Sequence, residues 1–461
     1  MPTSSPTHGT SHSHGSDHGS DHGSDLGSGH ADGPARPELR GTRRQASRPA
    51  AVAALAAVAL TSGAVLQSAP AAEAAPRAVR AGVDLGSPGL PEARSVTRPA
   101  SGVSVTTIVR GQKAATNATR GTTQAGPWRI RVATIDAKAK GQLRTAIGSD
   151  IARVEGVSTL GRWSGSTVAV NGSYFSQGRA TAPGDMVGLA VNGGTIVSQP
   201  QRVAGHIGVL MDSRTKSLRM DNYSWKSTLS TPDATLFLDA VNTPVSTPPG
   251  CGTLTDPTAC TQPGQLVRIT PHYAAGRTPS GPGAEVVFDR SGCVVSAKKT
   301  RGTTLSASRT AIQATGGKAA QLLAAADTKC PTYEEKVFGR DGKQAALTST
   351  TFGVAGRYQL VRDGEIVAPT NSGSFFGRHP RTIIGRTAGG SVMLVTVDGR
   401  STASVGATLR EAARLAKSLG MVDAANLDGG GSTAMAVRGK IVNTPVGGRE
   451  RAVGDAVVFM P

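Results

Sequence analysis

Apolar residues recur at every second position along much of the chain, and this alternation predicts a protein built mainly from β-strands. Residues 129–135 alternate as a strand, and two further strands run into polar-glycine turns, at 166–175 and 393–400. Three others repeat one arrangement, in which an apolar alternation, a polar-glycine turn and a second short strand are followed by proline: 186–200, 358–368 and 433–445. Turns of this kind join neighbouring antiparallel strands, so the three segments predict β-hairpins.

Helical periodicity is confined to a few segments. Residues 408–420 place apolar side chains on one face and end at Gly420, and Ser401, Thr402 or Ser404 are the candidate caps. Two further helices are expected, at 137–154 and in the alanine-rich stretch 317–326. The predicted fold class is α+β: mainly antiparallel sheet with hairpins and a few packed helices, in a single domain.

The first part of the chain has no globular pattern. Residues 1–48 are rich in His, Gly, Ser and Asp and are expected to form a disordered tail. The HGSDHGSD repeat in this tail is also able to chelate a transition metal weakly. Residues 76–125 are rich in Pro, Ala and Arg and predict a linker with one strand at 104–109. The globular domain is expected at 126–461.

Residues 49–75 have the composition of an export signal. An apolar run, AAVAALAAVAL, follows Arg43-Arg44, and small residues at 71–75 suit a cleavage site. The arginine pair also fits a twin-arginine signal, and the long basic region before the run leaves an uncleaved membrane anchor through 49–66 open. We therefore expect an exported protein, either secreted or associated with the cell envelope.

The net charge of +19 lies entirely after residue 48, because five arginines and five acids cancel before it. A strongly basic exported domain favours a polyanionic partner, such as a phosphate-bearing wall polymer or an anionic lipid. No nucleic acid is expected as a partner, since aromatic residues make up only 3 % of the chain and no nucleic-acid-binding motif occurs. A surface charge that only keeps the protein soluble is the alternative.

Four cysteines follow the signal: Cys251, Cys260, Cys293 and Cys330. An even number in an exported chain indicates two disulfide bonds, and sequential pairing is the simplest of the three possible pairings. A zinc site fits poorly because no C-x2-4-C spacing occurs.

The segment NLDGGGSTAMAV places Asp428 before three consecutive glycines. Three consecutive glycines are more than a turn requires, and ordering them costs backbone entropy. Gly429, Gly430 and Gly431 therefore favour a ligand-binding site over a simple turn. Their amides and the Ser432 hydroxyl are able to surround one anion. The candidate site therefore combines a carboxylate with backbone donors.

Two other segments hold candidate binding residues. GRHPRTIIGR gathers Arg378, His379 and Arg381 around a proline, a pattern suited to a phosphate or carboxylate clamp. NGSYF ends a strand with Asn171 and Tyr174, which are candidates for a sugar hydroxyl contact and a pocket wall. A basic sheet edge and a plain turn are the structural alternatives.

Several other chemistries are excluded by the absence of their motifs. The chain has no G-x-S-x-G nucleophile elbow, no Walker phosphate loop and no H-E-x-x-H zinc motif.

Together AVNGSYF, RHPRTIIG and the run from TLREAARLAKSLG to LDGGGSTAMAV resemble the phosphodiester glycosidase family. The resemblance spans about 165–461, with Ser173 and Tyr174 departing from the glycine and phenylalanine that we expect. It implies a hydrolase that cleaves a sugar from a phosphodiester at the anomeric carbon, with Asp428 as the carboxylate at the sugar. Asp398 is the candidate partner acid, while His379 and Arg381 are expected at the phosphate.

No cofactor is required by anything in the sequence, although Asp428 with backbone carbonyls is able to hold a divalent cation such as calcium. The rival function is a non-catalytic protein that binds anionic wall glycans through the same pocket. The sugar, the aglycone, the stereochemical course and the oligomeric state do not follow from the sequence.

Overall fold

The computed structural model describes residues 82–176 and 182–461. These residues belong to one compact unit, Ala78–Pro461. The predicted tail with its histidine repeat and the predicted export segment lie outside the described residues. No helix in the described ranges combines the length and the apolar character needed to cross a membrane.

Short strands make up most of the described chain. The first ten are β1 (Glu92–Ala100), β2 (Val103–Arg110), β3 (Trp128–Ile135), β4 (Gln142–Ala146), β5 (Glu155–Gly156), β6 (Val168–Asn171), β7 (Ala190–Asn192), β8 (Thr195–Ser198), β9 (His206–Asp212) and β10 (Leu218–Asp221). The next nine are β11 (Ser224–Ser230), β12 (Thr235–Phe237), β13 (Ala240–Val241), β14 (Leu266–Ile269), β15 (Gly281–Phe288), β16 (Val294–Arg301), β17 (Thr310–Ala314), β18 (Thr332–Phe338) and β19 (Thr351–Arg357).

The remaining strands precede or follow the segments that hold the candidate site. They are β20 (Gln359–Arg362), β21 (Glu365–Ile366), β22 (Arg381–Thr387), β23 (Val392–Val397), β24 (Met421–Asn426), β25 (Met435–Val437), β26 (Lys440–Ile441), β27 (Ala452–Val453) and β28 (Ala456–Met460). Three α-helices lie in the described ranges: α1 (Val157–Trp163), α2 (Lys318–Ala326) and α3 (Leu409–Ser418).

Almost all strand pairs are antiparallel, as the sequence predicts, and β13 with β14 is a parallel pair. The largest sheet has the order β1-β2-β3-β23-β22-β24-β20-β21, and a five-stranded sheet has the order β26-β25-β6-β28-β4. The three predicted hairpins are confirmed as β7–β8, β20–β21 and β25–β26. The prediction of a mainly antiparallel sheet with a few helices is thus confirmed.

The central strands of the eight-stranded sheet are buried on both faces. Ile384 on β22 packs with Val170 of β6 and Val354 of β19 in one core, while the adjacent Ile383 packs with Leu415 of α3 in another. Alternate residues of a strand point to opposite faces, so one strand contributes to both cores. Helix α3 covers the outer face, and β6 and β19 lie against the inner one.

The strand predicted at 104–109 is confirmed as β2, whereas the prediction of a linker is wrong for residues 92–100, which form β1 of the same large sheet. β1 is an edge strand, and most of its residues are exposed. An edge strand with both faces largely in water has a polar composition, which explains why this segment reads as a linker in the sequence.

The helix expected at 137–154 is also absent, because β4 occupies its centre and pairs with β28. Gly141 precedes β4 at a φ of +131°, and a Cβ there would lie 2.3 Å from the carbonyl oxygen of Met460. This close approach of two backbones requires glycine. The two glycines of the segment, Gly141 and Gly148, lie on either side of β4.

The helices predicted at 408–420 and 317–326 are confirmed as α3 and α2. The predicted caps of α3 are wrong: Thr408 caps it, accepting the Glu411 N–H at 3.1 Å, while Glu411 Oε2 accepts the Thr408 N–H at 2.8 Å. This reciprocal capping box satisfies two free amides at the start of the helix. Gly420, at a φ of +88°, follows the last turn as predicted.

Residues between β10 and β19 include the sheet β13-β14-β17-β15-β16 with α2, and both disulfide bonds lie there. Cys251 pairs with Cys260 and Cys293 with Cys330, which confirms the sequential pairing.

Candidate functional site

The candidate site lies where the ends of strands from two sheets meet. β6 ends at Asn171 beside the first residue of β28, and the chain leaving β24 donates the Asp428 N–H to the Gly172 carbonyl at 3.1 Å. The Leu427 N–H is bonded to the Thr382 carbonyl of β22 at 2.9 Å. These bonds bring the NGSY segment and the glycine loop, which are separated by about 250 residues in sequence, into direct contact.

Asp428 is partly exposed, yet its pKa is raised to about 6, chiefly because burial removes water from the carboxylate. The Ser432 hydroxyl, the Gly429 N–H and the charge of Arg451 oppose this rise, and the charge of Asp455 adds to it. The Ser432 Oγ is buried, and no hydrogen bond of ordinary geometry joins it to another described residue. Ser432 therefore lowers the pKa of Asp428 as a polar group close to the carboxylate. A carboxyl with such a pKa is able to exchange a proton near neutral pH.

Asp455 is a second acid of the site, and the sequence analysis missed it. Its Oδ1 accepts the Ser173 N–H at 2.6 Å and its Oδ2 accepts the Ser173 hydroxyl at 2.7 Å. Burial raises its pKa to about 6 against these two hydrogen bonds. The only signal in the sequence was an aspartate directly before the last apolar strand, without a motif around it.

Asp398, the predicted partner acid, has a different set of contacts. Its Oδ1 accepts Asn443 Nδ2 at 3.0 Å and its Oδ2 accepts the Thr444 N–H at 3.1 Å. Burial raises its pKa, and these hydrogen bonds lower it. The structure therefore supports a role for Asp398 in holding the segment after β26, while Asp455 takes the place beside Asp428.

Close contacts with neighbouring residues, more than free backbone N–H donors, explain why three consecutive glycines follow Asp428. The Gly429 N–H is bonded to Asp428 Oδ1 at 2.9 Å and the Gly430 N–H to the Pro380 carbonyl at 2.9 Å, so two of the three expected amides already have partners. A Cβ on Gly429 would lie 2.8 Å from the Pro380 oxygen, and Gly430 has a φ of +57°. A Cβ on Gly431 would lie 2.3 Å from Arg451 Nη2.

Two arginines that the sequence analysis did not select flank this loop. A Cβ on Gly430 would lie 3.3 Å from Arg400 Nη2, and the Arg451 guanidinium covers Gly431. Both side chains are exposed at the surface of the site. The positive charge beside Asp428 thus comes from residues that follow β23 and precede β27, as well as from the predicted basic segment.

The predicted clamp residues separate into different environments. Arg378 forms a buried ion pair with Glu411 at 2.6 Å and donates to the Thr123 carbonyl, so it anchors α3 and does not face the site. Arg381 is buried, and its Nε and Nη2 donate to the carbonyls of Ala407, Phe375 and Gly377. Burial lowers the Arg381 pKa to about 10, which leaves the side chain charged at neutral pH.

His379 lies beside Arg400, with 3.4 Å between its Nδ1 and the arginine Nε. Its Nε2 donates to the Ser374 carbonyl at 2.6 Å. Burial lowers the His379 pKa and the Ser374 contact raises it, while Arg381 and Arg400 lower it further. The imidazole is therefore neutral at physiological pH, and its Nδ1 is the hydrogen-bond acceptor.

Asn171 is fully buried and every polar group of its side chain is engaged. Its Nδ2 donates to the Asp428 carbonyl at 2.7 Å, and its Oδ1 accepts the Thr382 hydroxyl at 2.7 Å and the Ala434 N–H at 3.2 Å. The predicted contact with a sugar hydroxyl is not supported. Asn171 instead fixes the backbone of Asp428 to β6 and β22.

Tyr174 forms the wall expected of it. Its hydroxyl accepts Asn426 Nδ2 at 2.9 Å, and its ring lies 6.5 Å from that of Phe375. Burial raises the pKa of Tyr174 and the charge of Asp428 raises it further, whereas Arg381 lowers it. The Arg357 guanidinium lies 4.7 Å from the centre of the Phe375 ring, a cation–π contact that adds a further charge beside this wall.

Within the described ranges, no group of three or more His, Cys, Asp or Glu side chains is arranged to hold a metal ion. Asp428 and Asp455 are the carboxyls whose charges interact at the site. Any cation there would depend on Asp428 and on backbone carbonyls.

Comparison with known proteins agrees with this arrangement. Residues 282–460 match the family model of the phosphodiester glycosidases, a range that contains Arg381, Asp428 and Asp455. The resemblance to this family that the sequence shows is confirmed over these residues. The NGSY segment lies before the matched range.

One curated relative and two solved structures extend the comparison. The SPbeta prophage-derived uncharacterized protein YomE of Bacillus subtilis is 45% identical over 82 residues, which are 18% of this chain and 13% of that protein. The chain therefore matches only a small part of that relative.

The crystal structure of a Burkholderia pseudomallei protein described as exported superposes with a TM-score of 0.65 at 22% identity, covering 82% of this chain and 98% of that one. A hypothetical protein from Synechocystis gives a TM-score of 0.58 at 17% identity, covering 80% and 64%. Both show that the fold is shared.

Proposed function

We propose that the protein is an exported hydrolase that cleaves the glycosidic bond of a sugar-1-phosphodiester, in glycopolymers or glycans of the cell envelope. The observation that carries this proposal is the position of Asp428. A carboxyl with a pKa of about 6 stands at the start of a glycine loop that two arginine side chains flank. This arrangement combines an acid–base group with a site for a phosphate.

Asp428 acts at the sugar in this proposal. Cleavage at an anomeric carbon passes through an oxocarbenium-like transition state, which a nearby carboxylate stabilises. The group that leaves is a phosphate monoester, which departs more easily than an alkoxide and so needs less protonation by a general acid. The main requirement is stabilisation of the negative charge that develops on the leaving phosphate.

Arg451 and Arg400 are the preferred phosphate ligands, because their side chains are exposed beside Gly431 and Gly430. Arg381 contributes a buried positive charge, and its N–H groups donate hydrogen bonds to the surrounding backbone carbonyls. The neutral His379 is a hydrogen-bonding group next to Arg400. The guanidinium groups match the geometry of a phosphate better than single ammonium groups would.

Tyr174 and Phe375 form an apolar wall on which a sugar ring is able to pack. The high pKa of Tyr174 keeps its hydroxyl protonated, so it donates a hydrogen bond while accepting one from Asn426. Asn171 and Asp455 are positioning residues in this account: the first holds the Asp428 backbone and the second holds Ser173.

Export is part of the proposal and is supported by the two disulfide bonds, which form and persist outside the reducing cytosol. The reaction as written needs no metal ion. A calcium ion bound by Asp428 and loop carbonyls would make turnover sensitive to a chelator, and unchanged activity in EDTA would agree with the proposal.

The alternative is a non-catalytic receptor for anionic wall glycans that uses the same pocket, because arginines and loop donors serve binding as well as turnover. Incubation of the purified protein with a panel of sugar-1-phosphodiesters decides between them. Release of reducing sugar supports the hydrolase, whereas retention of the ligand without release supports the receptor.

A further inference from the structure

A second cleft lies away from Asp428, and most of its lining residues come from the part of the chain between β13 and the start of β18. Its volume is about 880 Å³. The turn between β15 and β16, the residues before β17 and the start of β18 form its walls, and the end of β14 lies between them. None of the residues assigned to the Asp428 site lines it.

The rim of this cleft is positively charged. Arg290 and Arg309 are exposed, and within residues 82–176 and 182–461 no ion pair engages either guanidinium. One acid, Asp289, lines the same cleft, but its Oδ1 is occupied by the Ser291 N–H, the Ser291 hydroxyl and the Cys293 N–H. These hydrogen bonds fix the β15–β16 turn and leave the two arginines available to a ligand.

The floor contains donors without partners. Arg268 is 6% exposed and pairs with Glu335 at 2.7 Å through Nη2, while its Nε has no hydrogen-bond acceptor in the described part of the chain. His272 Nε2 lies 3.2 Å from Asn192 Nδ2, which makes Nε2 the acceptor and Nδ1 the protonated nitrogen, and this Nδ1 likewise lacks a partner among the described residues. Buried donors are normally satisfied, so these two atoms leave unused hydrogen-bonding capacity at the base of the cleft.

The remaining lining is that of a sugar-binding surface. Tyr333 supplies an aromatic face beside the buried Phe288, and four hydroxyl groups also line the cleft: Ser149, Thr195, Ser308 and Thr310. Aromatic rings pack against the apolar faces of sugars, and hydroxyls bond to their polar edges. The Cys293–Cys330 bond ties the two sides of the cleft together, which makes the site preformed.

We propose that this cleft is a second binding site for an anionic glycan, in which Arg290 and Arg309 bind the acidic groups and the Tyr333 ring binds a sugar ring. Such a site would hold a polymeric acidic glycan on the domain independently of the Asp428 site. The proposal concerns binding alone and stands whether or not the protein hydrolyses sugar-1-phosphodiesters.

The double variant Arg290→Glu/Arg309→Glu tests the proposal, with binding measured by calorimetry against three probes. Polygalacturonate is an acidic glycan, dextran is a neutral glycan, and polyphosphate is an anion without sugar. The matched control is Lys113→Glu/Arg214→Glu, which changes the net charge equally at exposed positions outside the cleft. All four positions are exposed, so the fold should be retained, and circular dichroism checks this.

We expect the wild type to bind polygalacturonate more tightly than dextran or polyphosphate. The cleft variant should weaken that binding at least tenfold, and the control should change it less than threefold. Equal losses in the two variants would overturn the proposal by showing that charge alone is responsible, and so would unchanged binding in the cleft variant. Asp428→Asn should bind polygalacturonate as the wild type does, which separates this site from the proposed function.

Discussion

Asp428 and Asp455 are joined through one glycine. The Asp428 N–H is bonded to the Gly172 carbonyl at 3.1 Å, and the Gly172 N–H is bonded to the Asp455 carbonyl at 3.1 Å. A Cβ on Gly172 would lie 2.5 Å from Asp455 Oδ1, so only glycine allows both acids to approach this residue. The charge of Asp455 in turn contributes to the raised pKa of Asp428.

The first prediction concerns the pH dependence of stability. The pKa of Asp455 is about 6 in the folded protein, above its ordinary value of 3.8, so the folded state holds its proton more tightly than the unfolded state does. The free energy of unfolding should therefore fall as the pH rises from about 4 to above 6, by roughly 3 kcal/mol for this group. Chemical denaturation at a series of pH values measures it.

Asp455→Asn should remove its own share of that fall and reduce the share of Asp428, because the charge of Asp455 raises the pKa of Asp428. Asp428→Asn/Asp455→Asn should flatten the dependence across the same window. An unchanged slope in the double variant would mean that other groups are responsible for it.

The second prediction concerns Arg451, whose charge lowers the pKa of Asp428. Arg451→Ala should raise that pKa, so the acidic limb of kcat/KM against pH should move to higher pH if the ionised carboxylate is the active form. The same variant should raise KM for a sugar-1-phosphodiester about tenfold or more, because a charge-assisted contact with the phosphate is lost.

Arg214→Ala is the control, since this arginine is exposed on the turn between β9 and β10. A pH profile that does not move in Arg451→Ala would contradict the proposed interaction. An aryl glycoside that lacks phosphate should show a much smaller change in KM.

The third prediction separates two glycines of the loop. Gly429→Ala places a Cβ 2.8 Å from a backbone oxygen, so the loop itself must move, and stability should fall by about 1–3 kcal/mol. Gly431→Ala meets the end of the Arg451 side chain, which is able to move, so KM should rise with little loss of stability. Thermal unfolding and steady-state kinetics distinguish the two effects.

Gly389→Ala is the matched control, because its nearest atom would be the Thr387 Oγ1 at 3.9 Å. Equal effects of Gly429→Ala and Gly431→Ala on stability would show that the Arg451 side chain is not free to move.

The fourth prediction concerns the buried pair of Arg378 and Glu411. Arg378→Met should destabilise the protein by about 3–5 kcal/mol, because it leaves the Glu411 carboxylate buried without its partner. Arg378→Met/Glu411→Gln should recover part of that loss. Below the unfolding temperature, the KM of Arg378→Met should stay close to the wild-type value. A large rise in KM would indicate that Arg378 contacts the phosphate of the substrate.

Much of the fold was accessible from the sequence because local signals and tertiary structure agree. The hairpins have polar-glycine turns, α3 has an apolar face and a terminal glycine, and the cysteines pair sequentially. The strands at 92–110 were partly missed, since an edge strand needs few apolar residues. The cap at Thr408 was missed although its partner Glu411 stands at the capping-box spacing.

The site was only partly predictable. Asp428 was found because the glycines around it are costly in an ordered chain, and Arg381 because it stands in a basic cluster. Asp455 has no such neighbours, and it joins the site through contacts with Ser173, far away in sequence. Ser173 itself stood out only as a departure from the expected motif, and its hydroxyl is what binds Asp455.

The role of Asp428 at the reacting sugar is tested most directly by comparing wild type with Asp428→Asn on the sugar-1-phosphodiester that the wild type cleaves fastest. Single-turnover kinetics and calorimetric binding are measured on the same preparations. The account predicts a fall in turnover of at least a thousandfold with a Kd that changes less than fivefold, because the asparagine keeps the size of the side chain and removes its acid–base function. Turnover within tenfold of the wild type would contradict the role of Asp428 as the carboxylate at the reacting sugar.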